Sequence, residues 1–366
     1  MFFVYFPHVR IISVMNHPLR KYFYEITDKN IRKTPLSVRD ESRLFVYDTK
    51  TDTITFDIFR NLSKHIPEKT LMVFNNTGVI PARVLFRKDT GGKLHGLLLM
   101  NEGFDNEGAI PCIVDEQIFP GRKVSLLGEY WFMITRQDEQ RFYLKPEFDS
   151  SLLPNILDEC GSTPTPFYLG KMELGEKELR DRYQTIFAKN KKSVAAPTAS
   201  LHFTEEVFAS LDTKEVIRAE VTLDVGLGTF ADIEDKNVEG KFLHYEKFHI
   251  GEESMASLRE AMRMNRPIIA VGTTTVRTLE SSGEFLEHGQ EKSLTSETNI
   301  FIMPPYDFRV VDHLITNFHV PQSSLMALVD AFLQHKKAKR GLVELYEIAI
   351  NEGFQFYSFG DSMLIL

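Results

Sequence analysis

The chain has 366 residues, more than twice the ~150-residue prior for one domain, so two domains are expected. Its 43 Lys and Arg against 51 Asp and Glu give a net charge of −8, with 43% apolar and 26% charged positions. This excludes collagenous, low-complexity and largely disordered chains and a wholly basic nucleic-acid coat, while leaving room for a local basic face.

In chain order, residues 1–14 are apolar but broken by Pro7, His8 and Arg10. They lack the basic flank and cleavage site of a secretion signal, and Met15 is an alternative start that would leave them as an upstream extension. No run approaches the ~20 apolar residues of a membrane span. Cys112 and Cys160 are too few for a disulfide framework or a four-cysteine zinc site and read as reduced thiols.

Residues 69–145 read as short strands at 70–74, 79–86, 94–100, 123–127, 130–135 and 142–145, punctuated by Gly91, Gly92, Gly103 and the Pro120-Gly121 turn. Strands at this spacing predict a small barrel or sandwich. Beyond the Pro-rich stretch 154–166 the pattern changes. Helices are predicted over 176–188, 204–211 (with Thr204 as N-cap), 252–264, 323–334 and 342–351, and strands over 216–225 and 267–271. The expected fold class is an α/β main domain, residues 1–65 and 155–366, carrying an all-β, barrel-like domain inserted at 66–154.

Four segments offer chemistry. Residues 193–204 are small and polar ahead of a helix, which lets a ligand approach the backbone near free amides, and His202 could move a proton at neutral pH. On spacing alone the same residues favour a tightly packed loop with a hydrogen-bonded histidine. A strand ending at Gly226 and Gly228 has the Gly-x-Gly-x-x-Ala shape of a dinucleotide fingerprint, but the acidic residues 232–240 that follow lack the apolar stripe the fingerprint's helix needs. A glycine turn beside a nucleoside and a purely structural turn both remain. Gly272, Thr273, Thr274, Thr275 and Arg277 stand where a strand turns into a helix; N-capping accounts for one threonine, not three, and the hydroxyls suit a ribose or carboxylate. Asn317 and His319 occupy an apolar turn, as a buried pair or as a base-edge reader. His244, His249, His313 and His319 show no metal-binding spacing, so no metal is expected. The tracts Lys189–Lys192 and Lys336–Arg340 are local basic patches able to meet phosphates.

These segments, with Arg39 to Leu44, Asn75 to Thr77, Ile80 to Arg83, Asp181 to Thr185 and Gly360 to Ile365, occur in one order that resembles the S-adenosylmethionine:tRNA ribosyltransferase-isomerase family of queuosine biosynthesis, from about Tyr22 onward. The resemblance implies transfer and isomerisation of the ribosyl moiety of S-adenosylmethionine onto 7-aminomethyl-7-deazaguanine at the tRNA wobble position. The product would be epoxyqueuosine, with adenine and methionine released. It implies S-adenosylmethionine as co-substrate with no permanently bound cofactor, and tRNAs of the Asp, Asn, His and Tyr type as partners. A monomer with no membrane partner is expected, and the reduced thiols point to the cytoplasm.

Such chemistry needs a base for the proton next to the sulfonium, help for the departing adenine, and exclusion of water. The expected proton-transfer residues are His202 or His319, with His244 and Glu246 as the alternative pair. Gly226, Gly228, Thr229, Gly272, Thr273 and Thr274 are expected to hold the nucleoside and methionine parts, and Arg39, Arg43, Arg83 and Arg277 to meet carboxylate or phosphate. Asn75, Tyr183, Gln184, Ala196, Pro197, Thr198, Thr222 and Asn317 complete the expected substrate contacts. The chain departs from the family pattern at Gly78 (Arg in the pattern), Asp224 (His), Lys241 (His), Leu243 (Met), His95 (an acid), Pro305 (Gly) and Gln355 (Arg). These departures keep open an altered transfer to another acceptor and a non-catalytic tRNA-binding role.

Overall fold

The computed structural model describes residues 18–138, 140–170, 174–226, 233, 235–290 and 292–366. The strands in chain order are β1 (Arg43–Asp48), β2 (Thr53–Ile58), β3 (Leu71–Asn75), β4 (Thr77–Val79), β5 (Arg83–Lys88), β6 (Lys93–Leu98), β7 (Ile110–Val114), β8 (Lys123–Leu126), β9 (Tyr130–Asp138) and β10 (Arg141–Pro146). They continue with β11 (Asn190–Ser193), β12 (Ile217–Leu223), β13 (Phe242–Ile250), β14 (Ile268–Val271), β15 (Leu294–Ile300), β16 (His313–Asn317) and β17 (Ser362–Ile365).

Among the described residues the main sheet has the order β15-β13-β12-β3-β14-β16-β17-β1-β2. Its centre, β12, β3, β14 and β16, is parallel. β3 and β14 are buried along their whole length, as strands covered on both faces must be, which is why both read as unbroken apolar runs. Leu71, Val73, Ile268 and Ala270 face one layer of the core, and Met72, Phe74, Ile269 and Val271 face the other. The first face is covered by α5 (Glu252–Arg263), α6 (Thr273–Ser281), α8 (Ser324–His335) and α9 (Leu342–Asn351). The second is covered by α3 (Glu205–Asp212) and the turn Phe59–Lys64, with Thr204 capping α3 through its hydroxyl. The outer strand β2 is mostly exposed and carries Thr53, Thr55 and Asp57, polar residues that suit a sheet edge.

β5 to β10 close into a barrel in the order β10-β7-β6-β5-β8-β9. Alternating burial along β5 and β10 sends Val84, Phe86, Phe142 and Leu144 inward. Both expected boundaries of the insert move. Leu71–Asn75, placed by the sequence with the small strands, is the middle of the main sheet, because an uninterrupted apolar run suits two covered faces rather than a barrel wall. The segment 79–86 splits at Ile80–Ala82, so that β4 pairs with β11 outside the barrel and β5 enters it. At the other end, α1 (Leu153–Cys160) packs Leu153, Ile156 and Leu157 into the barrel core rather than into the main layer. The helix expected over 176–188 stops at Arg182, where Tyr183 leaves helical geometry. No helix among the described residues is long and apolar enough to cross a membrane.

Candidate functional site

The parallel strands β3, β12, β14 and β16 end side by side, and the loops beyond their carboxyl ends meet at a cavity of about 130 Å³. This is the end of an α/β sheet at which ligands bind. Ala195 to Ala199 form one wall, Gly272 to Thr274 another, Thr316 to Val320 a third, and Val225, Tyr168, Tyr183, Tyr357 and Ser358 close the rest. Of the expected contacts, Tyr183, Ala196, Pro197, Thr198, Gly272, Thr273, Thr274, Asn317 and His319 line it. Gly272 holds φ at +89°, a backbone state that favours glycine, and so turns β14 sharply into α6 with its amino-terminal end at the cavity.

Asn75 braces this end of the sheet without entering the cavity. Its amide donates to the Leu223 carbonyl at 3.1 Å and the Thr274 hydroxyl at 3.2 Å, and its carbonyl accepts from the amides of Leu223 and Thr77. Within the cavity, Thr198 donates to the Asn317 side-chain carbonyl at 2.9 Å, while the Asn317 Nδ2 is buried with no partner among the described residues. The Tyr183 hydroxyl is in the same position. Buried polar atoms are normally paired, so these two are groups that a ligand would complete. His319 Nε2 lies 2.9 Å from the Thr316 hydroxyl, and burial holds its pKa down at about 3, so the ring is neutral.

A smaller compartment adjoins at Leu325 and is lined by His244, Glu246 and Arg277. Glu246 and Arg277 form a buried ion pair, and Glu246 also accepts from the Gly226 amide at 3.0 Å. The carboxylate therefore holds the Gly226 amide and the Arg277 guanidinium instead of standing free as a base. Arg277 donates through Nε to the Ile300 carbonyl at 3.3 Å and leaves Nη2 buried with no partner among the described residues. His244 is exposed on β13. Gly228 and Thr229 lie outside the described residues.

His202 does not line the main cavity. It sits in a third, small compartment with Arg32, Arg39 and Ser358, the last shared with the main cavity. Its ring packs on Phe59 at 5.2 Å, burial pushes its pKa down to about 4, and Nε2 has no partner among the described residues.

Several expected contacts point elsewhere. Arg39 spends its guanidinium on the carbonyls of Gln184 at 2.5 Å, Asp181 at 2.9 Å and Leu201 at 3.4 Å, tying loops together. Arg43 stacks on the Phe354 ring at 3.8 Å and donates to the Glu352 carbonyl. Arg83 donates to the Thr165 carbonyl where the barrel begins. Gln184 pairs both its amide groups with the Val79 backbone, and Thr222 donates to Asn76. In each case a nearby backbone or amide carbonyl meets at least one of the donors.

The sequence reading did not single out Tyr168 or Ser358, whose hydroxyls meet at 2.5 Å on the cavity wall. The available signal was Asp361, within the quoted Gly360–Ile365 match. Wholly buried, it accepts from Arg32, Ser42 and the amides of Arg43 and Gln355, and so fixes the turn that presents Ser358. Two departures also fall near the site. At Gly78 a β-carbon would stand 3.0 Å from Lys191 Cγ, so the lysine stem fills the space a larger residue would take. Burial pushes the Asp224 carboxyl up, opposed by Lys192 and by a hydrogen bond from Thr77 at 3.3 Å.

A family profile described as queuosine biosynthesis protein matches residues 19–365. The S-adenosylmethionine:tRNA ribosyltransferase-isomerase of Carboxydothermus hydrogenoformans is 39% identical over 95% of this chain and 99% of its own. That of Fusobacterium nucleatum is 37% identical over 96% of this chain and 97% of its own. The crystal structure of the S-adenosylmethionine tRNA ribosyltransferase of Thermotoga maritima covers 94% of this chain and 100% of its own, with 30% identity and a TM-score of 0.52. With the profile spanning the sheet, the barrel and every wall of the cavity, the chain belongs to the queuosine biosynthesis protein family.

Proposed function

We propose that this protein is an S-adenosylmethionine:tRNA ribosyltransferase-isomerase. It transfers and isomerises the ribosyl moiety of S-adenosylmethionine onto 7-aminomethyl-7-deazaguanine in tRNA, giving epoxyqueuosine and releasing adenine and methionine. The observation that carries this reading is the 37–39% identity to enzymes of that name over nearly the whole of both chains. The cavity supports it. A small-residue wall allows close approach to a nucleoside, the hydroxyls of Thr198, Thr273 and Thr274 suit a ribose, and the free Asn317 Nδ2 suits a ring nitrogen or carbonyl of adenine.

His319 is the histidine among the described residues of the main cavity wall and is the proposed proton-transfer group. The neutral ring offers a lone pair to a proton without the repulsion a charged imidazolium would meet from the sulfonium, while its burial lowers its basicity. The enclosing walls keep water from the reacting ribose. Arg277 and Glu246 are proposed to hold the glycine segment against the ligand. The tRNA partners are proposed to be the Asp, Asn, His and Tyr types, met by a monomer in the cytoplasm, with Lys191 and Lys192 contributing phosphate contacts. Lys189 already pairs with Glu220.

The test is adenine release from S-adenosylmethionine in the presence of wobble-G tRNA, with and without 7-aminomethyl-7-deazaguanine. Release only with the modified tRNA, together with a ribosyl-sized mass gain on the nucleoside, is the expected result. Folded protein that releases no adenine with the modified tRNA would reject the proposal.

A further inference from the structure

At the end of the sheet opposite the candidate active site, where β14 and β16 begin, a second cavity of about 340 Å³ opens. Its walls carry Lys50 from the turn after β1, Arg266 ahead of β14, Arg309 and His313 around the start of β16, and Lys336 after α8. Asp312 is the acid among its lining residues, so four permanent cations face one carboxylate in a protein whose net charge is −8. That carboxylate is already engaged by the Ile268 amide at 2.9 Å, and Lys336 binds the Asp312 backbone carbonyl instead. Lys50 lies in the field of Asp48, whose carboxylate accepts from the amides of Lys50 and Thr51. Among the described residues the Arg266 and Arg309 guanidinium groups have no acidic partner.

His313 Nδ1 is sealed from solvent and has no hydrogen-bond partner among the described residues. Burial first, then Lys336 and Lys50, push its pKa down to about 4, so it stands as a neutral ring able to donate one N–H. Arg266 and Lys336 are half-buried there and burial lowers the Lys336 pKa, while Lys50 and Arg309 reach solvent at the rim. Gathering four cations around one hollow is unfavourable and is relieved by an anion.

We propose that this cleft is a binding site for a small phosphate-bearing anion, held by Arg266, Arg309, Lys50 and Lys336 and separate from the candidate active site. Two guanidinium forks suit a multiply charged oxyanion better than a lone carboxylate. A free anion is favoured over an RNA backbone because the site is a hollow rather than an open stripe. It also lies at the far ends of the strands whose other ends meet the candidate active site. The inference does not depend on the reaction proposed above.

Calorimetric titration of the full chain with pyrophosphate, at fixed ionic strength with chloride as the other anion, tests it. Saturable binding is expected, weakened about ten-fold or more by Arg266→Gln or Arg309→Gln, each of which removes a charge-assisted contact. Lys50→Gln, on an exposed turn, gives the same readout without touching the strand ends. The affinity for tRNA should be unchanged in all three variants. Absence of saturable binding, or binding that the three variants retain, overturns the proposal. Loss of tRNA affinity in the variants also overturns it, by assigning the cleft to RNA backbone.

Discussion

The barrel and the carboxyl end of the main sheet use polar groups in opposite ways. The barrel keeps an apolar interior and sets its ion pairs on the outside, among them Arg122 with Asp89 and Arg136 with Asp105, both at 2.7 Å. Its strands bury no unpartnered side-chain polar atom among the described residues. The sheet end instead buries a Glu–Arg pair, two histidines, and the unpartnered Tyr183 hydroxyl and Asn317 amide. Burying such groups costs stability unless something completes them. The barrel is therefore built for its own stability, and the sheet end for a ligand.

The largest effect is expected from Arg277→Ala. It leaves Glu246 charged, buried and unpaired, and should cost about 3–5 kcal/mol in urea unfolding. Replacing both residues with apolar ones of similar volume, Glu246→Leu with Arg277→Met, should recover much of that. A single-variant cost near zero would mean that the sheet end is no more sensitive than the barrel surface. Asn317→Ala should lower kcat/KM for adenine release about 10- to 100-fold, or ~1.5–3 kcal/mol of transition-state binding. Its unfolding curve should move by no more than about 1 kcal/mol, the loss of the hydrogen bond from Thr198, because the amide nitrogen it also removes has no partner among the described residues.

A pH series sharpens the contrast. His202 and His319 have folded-state pKa values lowered to about 4 and about 3 by burial, below the ~6.5 of an exposed ring. Between these limits the unfolded chain binds the extra proton, so unfolding becomes easier as pH falls. The stability that neutral burial provides is complete above pH ~6.5 and is lost progressively toward the folded values. From pH 7 to pH 5 each histidine should account for about 2 kcal/mol of that loss. His202→Phe should flatten the dependence by one histidine's share, read by urea unfolding at both pH values. The smallest effect belongs to Arg43→Ala. It gives up a cation–π contact worth about 0.5–1 kcal/mol and should leave adenine release within about twofold, because Arg43 faces Phe354 and not the cavity.

The sequence made the barrel visible because alternation along short strands is a local signal. It also marked the three main walls of the cavity, since small and hydroxyl residues where strands give way to helices have few structural explanations. It misplaced Leu71–Asn75 because an apolar run states that both faces are covered without saying by what. It did not show that Arg39, Arg43 and Arg83 also donate to backbone carbonyls, since those carbonyls come from segments distant in the chain. For the same reason Glu246 looked like a free base until Arg277, on another element, was found beside it.

The pairing of β1 with β17 has a consequence for how the protein is made. Leu44 to Tyr47 lie in parallel register with Ser362 to Ile365, so a strand synthesised early waits for the one synthesised after all the others. Between them the growing chain must keep an edge of Leu44 and Val46 unpaired through the synthesis of the barrel and most of the helices. Contacts that distant close slowly and leave strand edges exposed meanwhile. A chain stopped short of Asp361 would lose that strand and the anchor of the Ser358 turn together, so a truncated product would lack the cavity's last wall however well its barrel folded.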